Sequence, residues 1–334
     1  MTAANNILVD KFGRTHDYLR ISLTERCNLR CQYCMPEEGI ALRPRSEFMS
    51  KHEVIHIAKT FVQLGVKKIR LTGGEPLVRN DAKEIIEGLS ELPVELAITT
   101  NGILVDHFID TFLTCGVKSI NVSLDSLKEE RFNAITRRNY FDNVISNIQL
   151  LIQNNFHVKL NAVIIKGMND DELVDFIEFT KELNVHYRFI EFMPFSGNKW
   201  DWSKGCSFDE VMAVAHAHYG TKVMKIEDAK NDTAKNYRIE NYKGTFAIIS
   251  SVTNPFCDTC NRLRLTADGK IKNCLFSNSE TDLLTALRKG MDITSLIRSN
   301  VWDKKASRGG MTTFKDYSNP ALHEQNRAMV AIGG

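Results

Sequence analysis

Six of the eight cysteines fall into two groups of three: Cys27, Cys31 and Cys34, and far downstream Cys257, Cys260 and Cys274. Thiolates are soft ligands that suit zinc or an iron–sulfur cluster, and three in one short loop can reach a single small centre. A closed structural zinc or an ordinary electron-transfer cluster wants four protein ligands. The segment Arg26-Cys27-Asn28-Leu29-Arg30-Cys31-Gln32-Tyr33-Cys34 holds neither a fourth Cys nor a His. Three ligands leave one metal position open, and an open iron is a site for chemistry. The second group reads C-x2-C-x13-C, which also fits a structural zinc borrowing His323 or Cys206 as a distant ligand. Beside it, Arg262 and Arg264 alternate and so project from one face of a strand. Paired guanidiniums next to an open metal suit a bound polyanion. Cys115, in a helix ending at Gly116, and Cys206 read as plain thiols.

The elements that must position these groups alternate along the first two thirds of the chain. Strand-like runs at 18–23, 68–72, 94–99, 117–124, 157–165 and 186–192 are separated by helical patterns at 51–64, 81–90, 104–115, within 128–155, and at 170–183. Ser50 and Glu53 form a capping box at the first of these helices, and Gly65 ends it. Six βα units predict parallel pairing with right-handed crossovers, and a closed eight-stranded barrel would need two more. The fold class is therefore an open, partial (β/α)6 barrel over residues 1–219. A last helix, 207–217, closes it. From 220 to 334 the runs are short and β-like, which reads as a smaller α+β region carrying the second cysteine group. The polar and glycine-rich stretches sit at the carboxyl ends of strands, where barrel enzymes build their sites.

Apolar residues at 43% and charged residues at 25%, with 43 Lys and Arg against 41 Asp and Glu, describe an ordinary globular chain of 334 residues. That balance announces neither a nucleic-acid surface nor a membrane surface. No run approaches the ~18 apolar residues of a membrane span. The start, Met1 to Asp10, resembles neither a signal nor a transit peptide, so a cytoplasmic setting is expected, where clustered Cys serve metal or redox chemistry. No G-x-S-x-G or Ser/His/Asp arrangement points to a hydrolase.

C-x3-C-x2-C with an aromatic residue before the last Cys resembles the radical S-adenosylmethionine (SAM) enzymes. The likeness implies a [4Fe–4S] cluster on Cys27, Cys31 and Cys34, with SAM chelating its fourth iron and Tyr33 near the adenine. It also implies that Gly74, Ser123 and Met193 approach SAM. With Phe12-Gly13-Arg14, the run 67–77 through Gly73-Gly74-Glu75-Pro76, the run 188–193, Cys257 to Arg264 and the terminal Gly333-Gly334, the chain resembles GTP 3′,8-cyclases. These enzymes open molybdenum cofactor synthesis. The resemblance departs little, with Glu25 where Asp is common and divergence at 220–235 and 295–328. It implies a second [4Fe–4S] cluster on Cys257, Cys260 and Cys274 that holds guanine. Arg20, Arg70, Lys159, Arg262 and Arg264 would hold the triphosphate, Thr99 would lie near the nucleotide, and Arg188 is expected inside the barrel. A cation facing inward is costly unless an anion meets it, although Lys159 could instead pair with Glu191 or Asp125. The Gly333-Gly334 tail is expected to reach the active site. Implied partners are a flavodoxin- or ferredoxin-type electron donor and cyclic pyranopterin monophosphate synthase for the product, with a homodimer allowed. Competing readings are a radical SAM peptide-modifying maturase and a noncatalytic iron–sulfur or zinc protein.

Overall fold

The computed structural model describes residues 7–35, 39–40, 43–198, 200–311, 313–317, 319, 322 and 326–333. Three sequence readings concern positions outside these: the first six residues, His323 and Gly334. Six strands lie parallel and in chain order: β1 (Tyr18–Ser22), β2 (Lys68–Thr72), β3 (Glu95–Thr100), β4 (Ser119–Ser123), β5 (His157–Ile164) and β6 (His186–Glu191). Parallel neighbours need crossovers, and helices supply them. These are α1 (Lys51–Gln63), α2 (Ala82–Ser90), α3 (Ile109–Thr114), the pair α4 (Glu129–Thr136) and α5 (Phe141–Gln153), and α6 (Leu173–Glu178).

Local sequence explains most of this. In α1, Val54, Ile57, Ala58 and Phe61 recur at helical spacing and are buried. The expected capping box is present: the Glu53 amide donates to Ser50 Oγ at 3.3 Å, and the Ser50 amide donates to Glu53 Oε2 at 2.7 Å. The helix expected at 104–115 is shortened to α3. Asn147 Nδ2 donates to the Gly102 and Ile103 carbonyls at 2.8 and 3.1 Å, holding the preceding stretch in turns. The helix expected at 170–183 is likewise reduced to a 3-10 turn at 170–172 followed by α6.

After α7 (Phe208–Tyr219) the chain adds β7 (Val223–Lys225), β8 (Lys235–Ile239) and β9 (Thr245–Ile249), with β9 parallel to β6. It then crosses to the other side, where β10 (Arg262–Leu265) runs parallel to β1, with β11 (Lys270–Lys272) and β12 (Thr281–Asp282) antiparallel beyond. Helices α8 (Leu283–Arg288), α9 (Thr294–Trp302), α10 (Phe314–Tyr317) and α11 (Met329–Ile332) follow. The result is one twelve-stranded sheet, β12-β11-β10-β1-β2-β3-β4-β5-β6-β9-β8-β7, an open α/β barrel. Its parallel run holds two strands more than the helical rhythm announces, because no single helix leads into β9 or β10. The connection 250–261, which carries Cys257 and Cys260, spans between those two strands.

Strand alternation sorts the side chains. Leu19, Ile21, Ile69, Leu71, Ile98, Ile120, Val122 and Leu160 face the helices and join one buried core. Their alternates face inward and are mostly polar. A smaller apolar cluster of Phe195, Val252, Phe276, Met311, Tyr317 and Ile332 lies in the C-terminal half. No helix among the described residues is long and apolar enough to cross a membrane.

Candidate active site

The sheet curls around a cavity of about 480 Å³. Both cysteine groups line it, as do Tyr33, Gly74, Ser123 and Met193 and the cations Arg20, Arg70, Lys159, Arg188, Arg262 and Arg264, with Thr99 among them. The structure thus brings together in one space every residue expected at a cluster, at SAM or at the nucleotide.

The first cysteine loop is seated by backbone bonds. The Arg30 and Gln32 amides donate to the Thr136 and Ile135 carbonyls at the end of α4, at 2.9 and 3.1 Å. From β2, the Gly74 and Glu75 amides donate to the Thr24 and Arg26 carbonyls at 2.7 and 2.8 Å. A β-carbon at Gly74 would lie 2.4 Å from Arg26 O, so the loop requires glycine there for close approach. Asn101 Nδ2 donates to Cys27 Sγ at 3.8 Å and to Asn28 Oδ1 at 2.6 Å. Burial pushes the Cys27 thiol up to about 11, Cys34 up to about 12, and Cys31 well above its ordinary value. Metal ligation would release those protons. Tyr33 Oη donates to Asp125 Oδ2 at 2.8 Å, and burial holds the Asp125 carboxyl up at about 6.

In the second group, the Cys260 amide donates to Cys257 O at 3.1 Å, and Cys274 follows β11. Burial would raise the Cys260 thiol, but the Arg262 and Lys304 cations outweigh it and bring the group down to about 6. Cys206 is buried in the main core and does not line the cavity, so it is not a fourth ligand to this group. Among the described residues, no three His, Cys, Asp or Glu side chains close in as one metal ion requires. A zinc ion would need its thiolates within about 2.3 Å of one point. Two thiol-only donor sets of three, lining one partly polar cavity, are the soft ligands an iron–sulfur cluster takes.

The cations are arranged by strand register. Arg20 lies beside Arg264 of β10 and beside Arg70 of β2, while Tyr18 lies beside Arg262 and Lys68. Thr99, Asn121 and Lys159 form a second row across β3, β4 and β5, and Asn161 pairs in register with Arg188. Like charges side by side are destabilising. Yet among the described residues none of Arg20, Arg70, Lys159, Arg188, Arg262 and Arg264 forms an ion pair. Lys159 does not pair with Glu191 or Asp125, because those carboxylates are taken by other donors. Glu191 accepts from the Val252 and Thr253 amides, and Asp125 from Tyr33 and the Val163 amide. Arg20 Nε, Thr99 Oγ1, Arg262 Nη2 and Arg264 Nε are buried without any hydrogen-bond partner. Burial and the neighbouring cations bring Arg20 and Arg188 down to about 9 and Lys159 to about 8. Tyr18, which accepts from Arg70 Nε at 2.7 Å, is pulled down to about 7 because Arg70 and Arg20 overcome its burial. A polyanion in this cavity would satisfy these orphaned donors.

The chain end closes on the same place. Met329 lines the cavity, Val330 to Ile332 are buried, and the Val330 amide donates to the Cys34 thiol. A β-carbon on Gly333 would meet Thr72 Oγ1 at 2.4 Å and Ser22 Cβ at 3.0 Å, at a φ of +86°. Arg327 anchors this tail through Asp268 at 2.8 Å and Glu280 at 2.6 Å, and Arg43 joins Asp268 to Glu25 at 2.7 Å each. Sequence reasoning missed Tyr18, Lys68 and Asn121 on the cavity wall, and named Asp125 there only as an alternative partner for Lys159. For Tyr18 and Lys68 a signal existed, since each stands two residues before a strand arginine and shares its face.

A family model described as Radical SAM superfamily matches residues 21–180, and one described as Molybdenum Cofactor Synthesis C matches residues 185–309. A solved structure of Streptococcus suis SuiB bound to S-adenosylmethionine aligns over 96% of this chain and 79% of that one. Its TM-score is 0.62 at 15% identity, a likeness of fold. Fold, thiol loop and family model together define a radical SAM protein. Among curated relatives, the mitochondrial GTP 3′,8-cyclase of Arabidopsis thaliana is 46% identical over 99% of this chain and 84% of that protein. The GTP 3′,8-cyclase of Listeria welshimeri is 42% identical over 89% and 91%. The chain belongs to the GTP 3′,8-cyclase family. It spans about half of some longer relatives, such as the Dictyostelium discoideum molybdenum cofactor biosynthesis protein 1, which is 44% identical and 52% covered.

Proposed function

We propose that this chain cyclises GTP to (8S)-3′,8-cyclo-7,8-dihydroguanosine 5′-triphosphate, the first step of molybdenum cofactor synthesis. The observation that carries the reading is the cavity's set of unpaired cations and orphaned donors between two thiol trios. Cys27, Cys31 and Cys34 would hold a [4Fe–4S] cluster with SAM, and with an external reductant that group would supply radical chemistry: hydrogen removal from C3′ and C3′–C8 bond formation, completed by one further electron from the reductant and a proton at guanine N7, so that the product keeps the mass of GTP. Tyr33, Gly74, Ser123 and Met193 hold SAM in this reading. Arg20, Arg70, Lys159, Arg262 and Arg264 bind the triphosphate, with Thr99 near the nucleotide and Arg188 beside Lys159. Cys257, Cys260 and Cys274 hold a second [4Fe–4S] cluster and, with it, the base. The tail at Met329 to Gly333 excludes water from the cavity mouth. Holding the reacting carbon atoms in fixed relation is the protein's main contribution.

The same reading divides the work between residues 1–219, the SAM side, and 220–334, the side of the second cluster. It includes a flavodoxin- or ferredoxin-type electron donor, delivery of product to cyclic pyranopterin monophosphate synthase, a cytoplasmic setting and a homodimer. The test is anaerobic reconstitution with iron and sulfide, then SAM, dithionite and GTP, followed by mass spectrometry. The expected outcome is 5′-deoxyadenosine formed in step with a GTP isomer of unchanged mass. Deoxyadenosine without GTP consumption would move the substrate elsewhere, and no SAM cleavage by iron-replete protein would overturn the reading.

A further inference from the structure

Lys304 follows α9 and turns back into the protein, where it is only 2% exposed. Its Nζ lies 3.3 Å from Cys260 Sγ, 3.1 Å from Arg262 O and 3.5 Å from His16 Nδ1. An ammonium has three N–H donors, and these three atoms are its acceptors. With His16 Nδ1 accepting, the imidazole proton sits on Nε2, which donates to Asp10 Oδ2 at 3.0 Å. His16 and Asp10 are 0% and 1% exposed. Asp10 in turn is held by Arg14 Nε at 2.7 Å, and Arg14 Nη1 donates to Cys257 O at 2.8 Å. The N-terminal residues 10–16 therefore grip the second cysteine group at two points.

A buried lysine is costly, and an apolar side chain of the same length would fill this space at lower cost. Its carbonyl and imidazole contacts are neutral, so a negative sulfur is the partner that offsets the burial. Hydrogen bonds to ligand sulfur help set a cluster's reduction potential, and outer residues that orient ligands tune the metal. We propose that Lys304 is a positioning residue for the second cluster: its ammonium donates to the Cys260 thiolate, while His16 and Asp10 hold it in place and so raise the cluster's potential. The inference rests on reading Cys257, Cys260 and Cys274 as cluster ligands.

The test uses the full chain with Cys27, Cys31 and Cys34 replaced by Ala, so that only the second cluster is loaded. Lys304→Met is expected to retain iron, shift the midpoint to a more negative potential and change the electron paramagnetic resonance spectrum of the reduced cluster. Lys304→Arg should retain most of the original potential. An iron-replete Lys304→Met protein with unchanged midpoint and spectrum would overturn the proposal. Lys304→Met can also fail to fold, so the contact is read without substituting Lys304, by selective 15N-lysine labelling. A 15N coupling on the reduced second cluster supports the contact, and its absence overturns it. A triple-Ala protein that takes up no iron would overturn the cluster reading itself, and this inference with it.

Discussion

Arg20 stands in register between Arg264 and Arg70, with its Nε buried and no partner for that donor. Replacing it should therefore act in opposite directions on the empty and the filled protein. Arg20→Met is expected to raise the melting temperature of the ligand-free protein, by relieving like-charge repulsion. It should weaken GTP roughly 10- to 100-fold, the loss of a charge-assisted hydrogen bond worth about 1.5–3 kcal/mol. Differential scanning fluorimetry and isothermal titration calorimetry check the two halves. Lys159 gives a pH signature. Burial first, then Arg188 and Arg70, bring it to about 8 from the ordinary lysine value of 10.5, so over that window the unfolded chain binds a proton the folded site has released. Its contribution to the stability of ligand-free protein thus rises with pH between those values. Triphosphate binding restores the proton, so affinity should fall as pH rises above about 8, by at most roughly tenfold per unit for one proton. Lys159→Met should lose that part of the slope, whereas any contribution from Tyr18 is common to both proteins and cancels in the comparison. The alternation of Arg262 with Arg264 was legible because a strand's period is local. Lys304 was not, since its partners come from residues 16, 260 and 262, which only the folded chain assembles.

At the scale of elements, two glycines fix how segments meet. Gly74 lets the end of β2 press on the first cysteine loop, and a methyl group there would face backbone oxygens that cannot step aside. Gly74→Ala is expected to cost about 1–3 kcal/mol, lowering the melting temperature by several degrees and depleting iron from the first trio in metal analysis. Gly333 lets the tail enter between Ser22 and Thr72. Gly333→Ala, strained at its positive φ and crowded, should release the tail. Hydrogen exchange over 329–333 should then rise and product formation fall by tenfold or more, if the tail contributes the ~1.4 kcal/mol that such a factor represents. The sequence marked both glycine pairs as unusual, but it could not distinguish a ligand contact from a packing need. That distinction depends on which backbone lies opposite.

The two halves of the chain are interleaved in one sheet, with β10 beside β1 and β9 beside β6. A fragment ending at residue 219 would leave β1 and β6 as bare edges, which invite aggregation. It is expected to be insoluble or unfolded by circular dichroism, whereas the full chain should melt in one cooperative transition. A soluble, folded fragment would show instead that the first six strands are self-sufficient. Those six strands were readable because each carries its own turn and crossover signals. The flanking positions of β9 and β10 were not, because β9 pairs His186 with Thr245 and β10 pairs Tyr18 with Arg262, contacts distant in sequence that leave no local trace. That same pairing sets an order of maturation. The first thiol trio is complete within residues 27–34, while the second straddles β10 and β11. A chain leaving the ribosome can offer the first thiols to iron early. If Cys257, Cys260 and Cys274 are cluster ligands, their place in the cavity would be fixed only after the late-made strand β10 has docked on the earliest, β1. On the proposed reading of both trios as cluster ligands, metal loading would meet one trio that is ready during synthesis and another that reports the docking of β10.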